Sequence, residues 1–212
     1  MLWTAAIVAG GVASRLGGRA KSTLPLGNGS ILDRQLAVLR PLTDRILVVA
    51  NDPERFSHAA VPVVADLVPG AAALGGIYTA LSAATTEAVL VVAGDLPFLT
   101  GRFLEHLADA AAGFDLTIPR STDGLQPMCA MYSRACLEPI GARIATATLR
   151  IQDLAADVRT REIGPEELAP YDPDGLLFFN INTQADYQRA LEIAARHEDR
   201  ITRVPLRRQQ DP

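Results

Sequence analysis

The run Val89-Leu90-Val91-Val92-Ala93 is five apolar residues long, with no polar residue inside it. A strand with one wet face alternates polar and apolar side chains. A strand-length run without alternation is buried on both faces, as happens inside a parallel sheet covered by helices on each side. This run stops at Gly94-Asp95, and three other apolar runs precede it: Trp3 to Val8, Ile46 to Ala50 and Val61 to Ala65. Helical patterns fall between them. Ser30 with Asp33 forms a capping box for a helix from Ser30 to Leu42, with Ile31, Leu32, Leu36 and Leu39 apolar. Further helices are expected from about Ile77 to Ala84 and, capped by Thr100, to about Ala112, before a strand at Leu116 to Pro119. This order predicts an α/β fold with a right-handed, mostly parallel central sheet. Ligands of such sheets bind outside the carboxyl ends of the strands. Those ends carry a glycine loop, Asn51, Asp66 and Asp95, which argues for a single site.

The second half is less regular. Gln126 to Tyr132 and Val158 to Ile163 read as strands, and Arg134 to Ala145 and Leu149 to Ala156 as helical. Leu176 to Phe179 is apolar and ends at Asn180-Ile181-Asn182. Thr183 with Asp186 is a second capping box, opening a helix to about Arg196. The reading is one domain over residues 1–199, with 1–119 as a nucleotide-binding half, 120–199 as an acceptor-binding half, and 200–212 as a tail, either disordered or an edge strand.

The glycine loop is Ala9 to Lys21, AGGVASRLGGRAK, with four glycines, Ser14 and Arg15. Glycines after a strand let backbone N–H groups approach an anion, and Arg15 and Lys21 add positive charge. A Walker A loop needs glycine immediately before the lysine, where this chain has Ala20, and another five residues earlier, where it has Arg15. The dinucleotide pattern G-x-G-x-x-G fails as well, because Ala13 stands two residues after Gly11. This is a phosphate loop of a third kind. Its bland alternative is a basic strand-to-helix turn.

AGGVASRLGGRAKSTLPLG resembles the N-terminal signature of the molybdenum cofactor guanylyltransferases and related nucleotidyltransferases, roughly L-A-G-G/A-G-x-S-x-R-M-G-x-x-K-x-L-L-P. One departure is Ala20, where many members have aspartate. GDLPFL, Gly94 to Leu99, resembles the family's G-D-x-P-x-L/I. Asp66 to Ile77 resembles D-x-x-P-G-x-G-P-L-x-G-I. FFNINTQADY resembles F-x-N-x-N-T-P-E-D-L. Gln126 to Tyr132 resembles a Q/H-P-L-x-A-L-Y strand on the pterin side. The resemblance implies a three-layer Rossmann-like nucleotidyltransferase fold. It implies a reaction in which GTP and a molybdopterin-type phosphate give a guanine dinucleotide cofactor and pyrophosphate.

The resemblance also assigns residues. Arg15, Lys21 and Asp95 are expected to be catalytic. Val8, Ala9, Gly10, Gly11, Lys21, Asn51, Asp66 and Asp95 are expected at the nucleotide, and Asn180 and Asn182 at the acceptor. Asp95 is expected to hold Mg²⁺, the implied cofactor, and to face Lys21 across a triphosphate-sized gap. Each has a plainer reading. Asp95 suits a turn cap, Asp66 and Asn51 suit loop aspartate and asparagine, Asn180 and Asn182 suit turns before a helix, and Met128, Ala130 and Tyr132 suit a core strand. His58, His106 and His197 suggest no triad. The partners implied are GTP, the molybdopterin cofactor and proteins that mature molybdoenzymes. Gly10-Gly11 favours guanine, since cytidylyl relatives usually read Ala-Gly there. The alternatives are transfer from CTP, a sugar phosphate acceptor, or a non-catalytic module that binds pterin or nucleotide.

The net charge of −4 in 212 residues argues against a general nucleic-acid binder. No apolar run reaches membrane-spanning length, and no signal-peptide pattern opens the chain. Cys129 and Cys136 have neither metal spacing nor a disulfide framework, so a reducing cytoplasm is expected.

Overall fold

The computed structural model describes residues 2–10, 12–13 and 19–202. Eight strands among these form one sheet: β1 (Trp3–Val8), β2 (Ile46–Val49), β3 (Val63–Val64), β4 (Ala88–Ala93), β5 (Leu116–Ser121), β6 (Gly124–Leu125), β7 (Cys129–Ser133) and β8 (Thr160–Ile163). The order is β3-β2-β1-β4-β7-β5-β8, with β6 folded back on the end of β5. β1, β2, β3 and β4 run parallel, and β7 is inserted antiparallel between β4 and β5.

Helices α1 (Ile31–Leu39), α2 (Ala72–Ala83), α3 (Gly101–Asp109), α4 (Leu137–Ala145), α5 (Pro165–Leu168) and α6 (Gln184–Thr202) accompany the sheet. The alternation of strand side chains splits the core in two. Ala5, Ile7, Leu90 and Val92 pack with Leu32, Leu36 and Leu39 of α1 and Phe103, Leu104 and Leu107 of α3. Ala6, Val89 and Val91 pack on the opposite face with Leu74, Ile77 and Leu81 of α2 and Ile140 of α4. The fold is therefore a three-layer α/β arrangement. A smaller cluster, Leu24, Leu26, Ile31, Ile181, Ala190 and Ala194, seats α6. Among the described residues no helix is long and apolar enough to cross a membrane.

Both capping boxes form. Asp33 N–H donates to Ser30 Oγ and Ser30 N–H to Asp33 Oδ2. Asp186 N–H donates to Thr183 Oγ1 and Thr183 N–H to Asp186 Oδ2. The differences from expectation have local causes. α2 starts at Ala72 rather than Ile77, because Ala72 takes a left-handed φ of 49° that turns the chain into the helix early. α3 ends at Asp109 rather than Ala112, where the chain turns through Gly113 at φ 84°. α6 runs past Arg196 to Thr202, since no glycine or proline interrupts it before Pro205. The first three residues assigned to the tail are thus helical, and the rest lie outside the described residues. Ile151–Ala156 is a 3₁₀ helix.

Candidate active site

The sheet register builds the site. Val8 pairs with Val49 of β2 on one side and with Ala93 of β4 on the other, so three strands stop at one level. Past that level the chain delivers Ala9-Gly10, Ala50-Asn51 and Gly94-Asp95 to one edge. β3 pairs with β2 through Val64↔Val49, which brings Asp66 to the same edge. A cavity of about 610 Å³ opens there, and Val8, Ala9, Gly10, Lys21, Asn51, Asp66, Asp95 and Asn180 all line it. Gly11 and Arg15, and with them Ser14, lie outside the described residues.

Lys21 returns to this edge through local pairing. Val12–Ala13 pairs antiparallel with Arg19–Ala20, folding the glycine loop back on itself, and Lys21 opens a short 3₁₀ turn. Its Nζ donates to Asp95 Oδ2 at 2.9 Å and to Asn182 Oδ1. The expected gap between lysine and carboxylate is absent: the two groups touch, and the hollow lies beside the pair. Direct contact satisfies both charges in a half-buried setting. Asn182 joins Lys21 from α6's entry, where its own N–H is held by Asp186 Oδ2. Ala20, the departure from the aspartate pattern, is 6% exposed and packs into the core.

Asp66 and Asn51 brace each other. Asn51 Oδ1 accepts from Asp66 N–H at 2.8 Å. Asp66 Oδ1 accepts from Val68 N–H and from Thr79 Oγ1, while Thr79 Oγ1 accepts from Leu67 N–H. Thr79 is fully buried and is a site support that the sequence reading missed; Gln35 is likewise buried. The signal was available, because each is a polar residue on an apolar helix stripe. Gln126 and Met128 also line the cavity. Met128 is thus half-buried at the wall rather than in the core, unlike Ala130 and Tyr132 beyond it.

The electrostatics suit an anion. α2 begins at the cavity with no side chain capping its N-terminus, so its first N–H groups and positive dipole end remain available. α2 also approaches β1 closely: a Cβ on Gly76 would stand 2.6 Å from Val8 Cγ1. Gly10 differs, since a Cβ there meets nothing within 4 Å. Among the described residues no group of three or more His, Cys, Asp or Glu gathers as a metal cage. Of the two carboxylates at the cavity, Asp66 is engaged by Val68 N–H and Thr79 Oγ1, and Asp95 fits a hard divalent cation that takes most of its oxygens from phosphates and water.

Residues 5–158 match the MobA-like NTP transferase domain. The chain is 33% identical to the probable molybdenum cofactor guanylyltransferase of Carboxydothermus hydrogenoformans, over 90% of this chain and 95% of that one. It is 30% identical to the molybdenum cofactor guanylyltransferase of Desulfosudis oleivorans, over 88% and 93%. The crystal structure of molybdopterin-guanine dinucleotide biosynthesis protein A from Archaeoglobus fulgidus superposes with a TM-score of 0.77 at 27% identity, covering 91% of this chain and 99% of that one. With its strand-end acids and three-layer fold, the chain belongs to the MobA-like NTP transferases and is a nucleotidyltransferase of the molybdenum cofactor guanylyltransferase family.

Proposed function

We propose that this enzyme transfers GMP from GTP to the phosphate of molybdenum–molybdopterin, releasing pyrophosphate. The observation that carries the reading is the contact of Lys21 with Asp95 and Asn182 at the mouth of a cavity lined by Asn51, Asp66 and the α2 N-terminus. An acceptor phosphate oxygen attacks the α-phosphorus, the bond to the β-phosphate oxygen breaks, and pyrophosphate leaves with that electron pair. Such chemistry needs positioning and charge neutralisation rather than a protein nucleophile. Lys21 swings from Asp95 onto the triphosphate, and Arg15 adds a second cation from the glycine loop. Gly10 and Gly11 let the backbone lie against the nucleotide. Asn51 and Asp66 sit on the nucleotide side. Asn180 and Asn182 sit at the acceptor side.

Asp95 would hold Mg²⁺, which supplies Lewis-acid polarisation of the phosphate oxygens when bound. Cys129 and Cys136 are free thiols, in keeping with action in a reducing cytoplasm, where proteins that mature molybdoenzymes would take the product.

The test is pyrophosphate release with molybdopterin and Mg²⁺, offering GTP, CTP or UTP. Turnover with GTP, lost in Asp95→Asn and Lys21→Ala, is expected. Preferred turnover of CTP would overturn the guanine assignment, and full activity of either variant would remove that residue's role.

A further inference from the structure

Gln35 is a buried polar residue that does not line the cavity. It sits on α1, 1% exposed, on the stripe formed by Leu32, Leu36 and Leu39. Its Nε2 donates to Ala93 O at 2.7 Å and to Leu96 O at 3.0 Å. Its Oε1 is buried without a hydrogen-bond partner. A buried unpartnered carbonyl is destabilising, and leucine or methionine would fill this position without it. The amide is therefore accounted for by its donor end alone.

The two carbonyls it takes bracket one feature, the Ala93–Leu96 turn that carries Asp95. The turn's own backbone bond, Leu96 N–H to Ala93 O, is long at 3.3 Å. Elsewhere the turn is tied by Gly94 N–H to Val8 O and by Ile181 N–H to Asp95 O at 3.2 Å. Gln35 closes it from the core side.

We propose that Gln35 is a positioning residue: it fixes the backbone on both sides of Asp95, and so sets where that carboxylate meets a divalent cation. This rests on the reading that Asp95 holds the metal. Gln35 touches neither substrate nor metal and acts only through the turn.

The experiment measures Mn²⁺ binding to the full chain with GTP held below the protein concentration, by the loss of free-ion electron paramagnetic resonance signal beyond that seen with GTP alone. The variants are Gln35→Met and Gln35→Leu, both of which fill the position without a donor. Two hydrogen bonds of ordinary strength predict a Kd for Mn²⁺ raised about five- to tenfold. GTP affinity without metal should stay within about twofold, since Gln35 does not line the cavity and its bonds reach only the turn that carries Asp95. A lowered melting temperature with unchanged Mn²⁺ affinity would make Gln35 merely structural and overturn the proposal. If one variant is partly unfolded, Kd is read per folded molecule, and the other variant supplies the comparison. Asp95→Asn is the control: if it binds Mn²⁺ as tightly as wild type, the metal reading of Asp95 falls, whatever Gln35 does.

Discussion

Lys21 Nζ and Asp95 Oδ2 lie 2.9 Å apart although 74 residues separate them in the chain. The side chains are 17% and 21% exposed, so the pair is screened but not free in water. A metal that binds Asp95 must displace this ammonium, and a triphosphate that binds Lys21 must draw it away. Lys21→Met should therefore tighten Mn²⁺ binding to the nucleotide-free protein by about two- to fivefold, the usual range for a partly exposed ion pair. The same change should weaken nucleotide binding. Mn²⁺ titration with and without GTP checks both, and an unchanged affinity for metal would show that the pair does not restrain Asp95.

Ala72 opens α2 at φ 49°, where an L-residue with a Cβ is strained. In the family pattern quoted for Asp66 to Ile77, this position is glycine. Ala72→Gly removes the clash and costs some unfolded-state entropy, leaving a net stabilisation of about 1 kcal/mol. In a chain of this size that is a rise of roughly 2–4 °C in melting temperature. Differential scanning calorimetry reads it directly, and a fall would show that the left-handed turn is unstrained.

What the sequence revealed follows from how local each signal is. The Val89 to Ala93 run identified an inner strand, and Ser30 with Asp33 and Thr183 with Asp186 marked helix starts, because each rests on neighbours within one turn. The strand ends at Asn51, Asp66 and Asp95 were legible for the same reason. The direct contact of Lys21 with Asp95 was not, since it depends on the Val12–Ala13 and Arg19–Ala20 pairing that folds the loop back. Nor was the early start of α2, which hangs on one backbone angle at Ala72. Gln35 and Thr79 did leave a trace, as polar residues on apolar stripes, but their partners are backbone carbonyls, a backbone N–H and a carboxylate that only the tertiary fold supplies.

Two glycines should respond differently to alanine. A Cβ on Gly75 would stand 2.7 Å from the Val68 carbonyl oxygen and 3.3 Å from Asp66 Oδ1. Backbone there cannot yield cheaply, so Gly75→Ala should destabilise by about 1–3 kcal/mol. Gly10→Ala meets only open space and should unfold at the wild-type urea midpoint while raising the KM for GTP. Equal loss of stability in both would mean that Gly10 is packed after all.

Burial pushes the thiols of Cys129 and Cys136 up to about 12. At pH 8 the reactive thiolate is then a fraction of about one in ten thousand. Ellman's reagent should label neither cysteine in the native protein and both after denaturation. Rapid labelling at native pH would mean that β7 or the turn after it, Arg134–Cys136, opens locally.

Asp186 ties the Asn182 turn to α6, and the Asn182 N–H and the Thr183 hydroxyl hold its carboxyl below the usual carboxylate range. A depressed folded pKa stabilises the protein above the unfolded value, about 3.9, and that contribution fades as pH falls through the folded pKa. Asp186→Ala should cost about 1 kcal/mol at pH 7, as for loss of a helix cap. The difference from wild type should narrow as pH falls below about 4, where the unfolded carboxyl takes up its proton first and the folded one follows at its lower pKa. Because Asn182 presents its Oδ1 to Lys21 from this turn, the variant should also weaken nucleotide binding at pH 7. Urea unfolding at pH 3 and pH 7, with GTP titration at the latter, tests both, and a stability gap equal at the two pH values would rule out the charged cap.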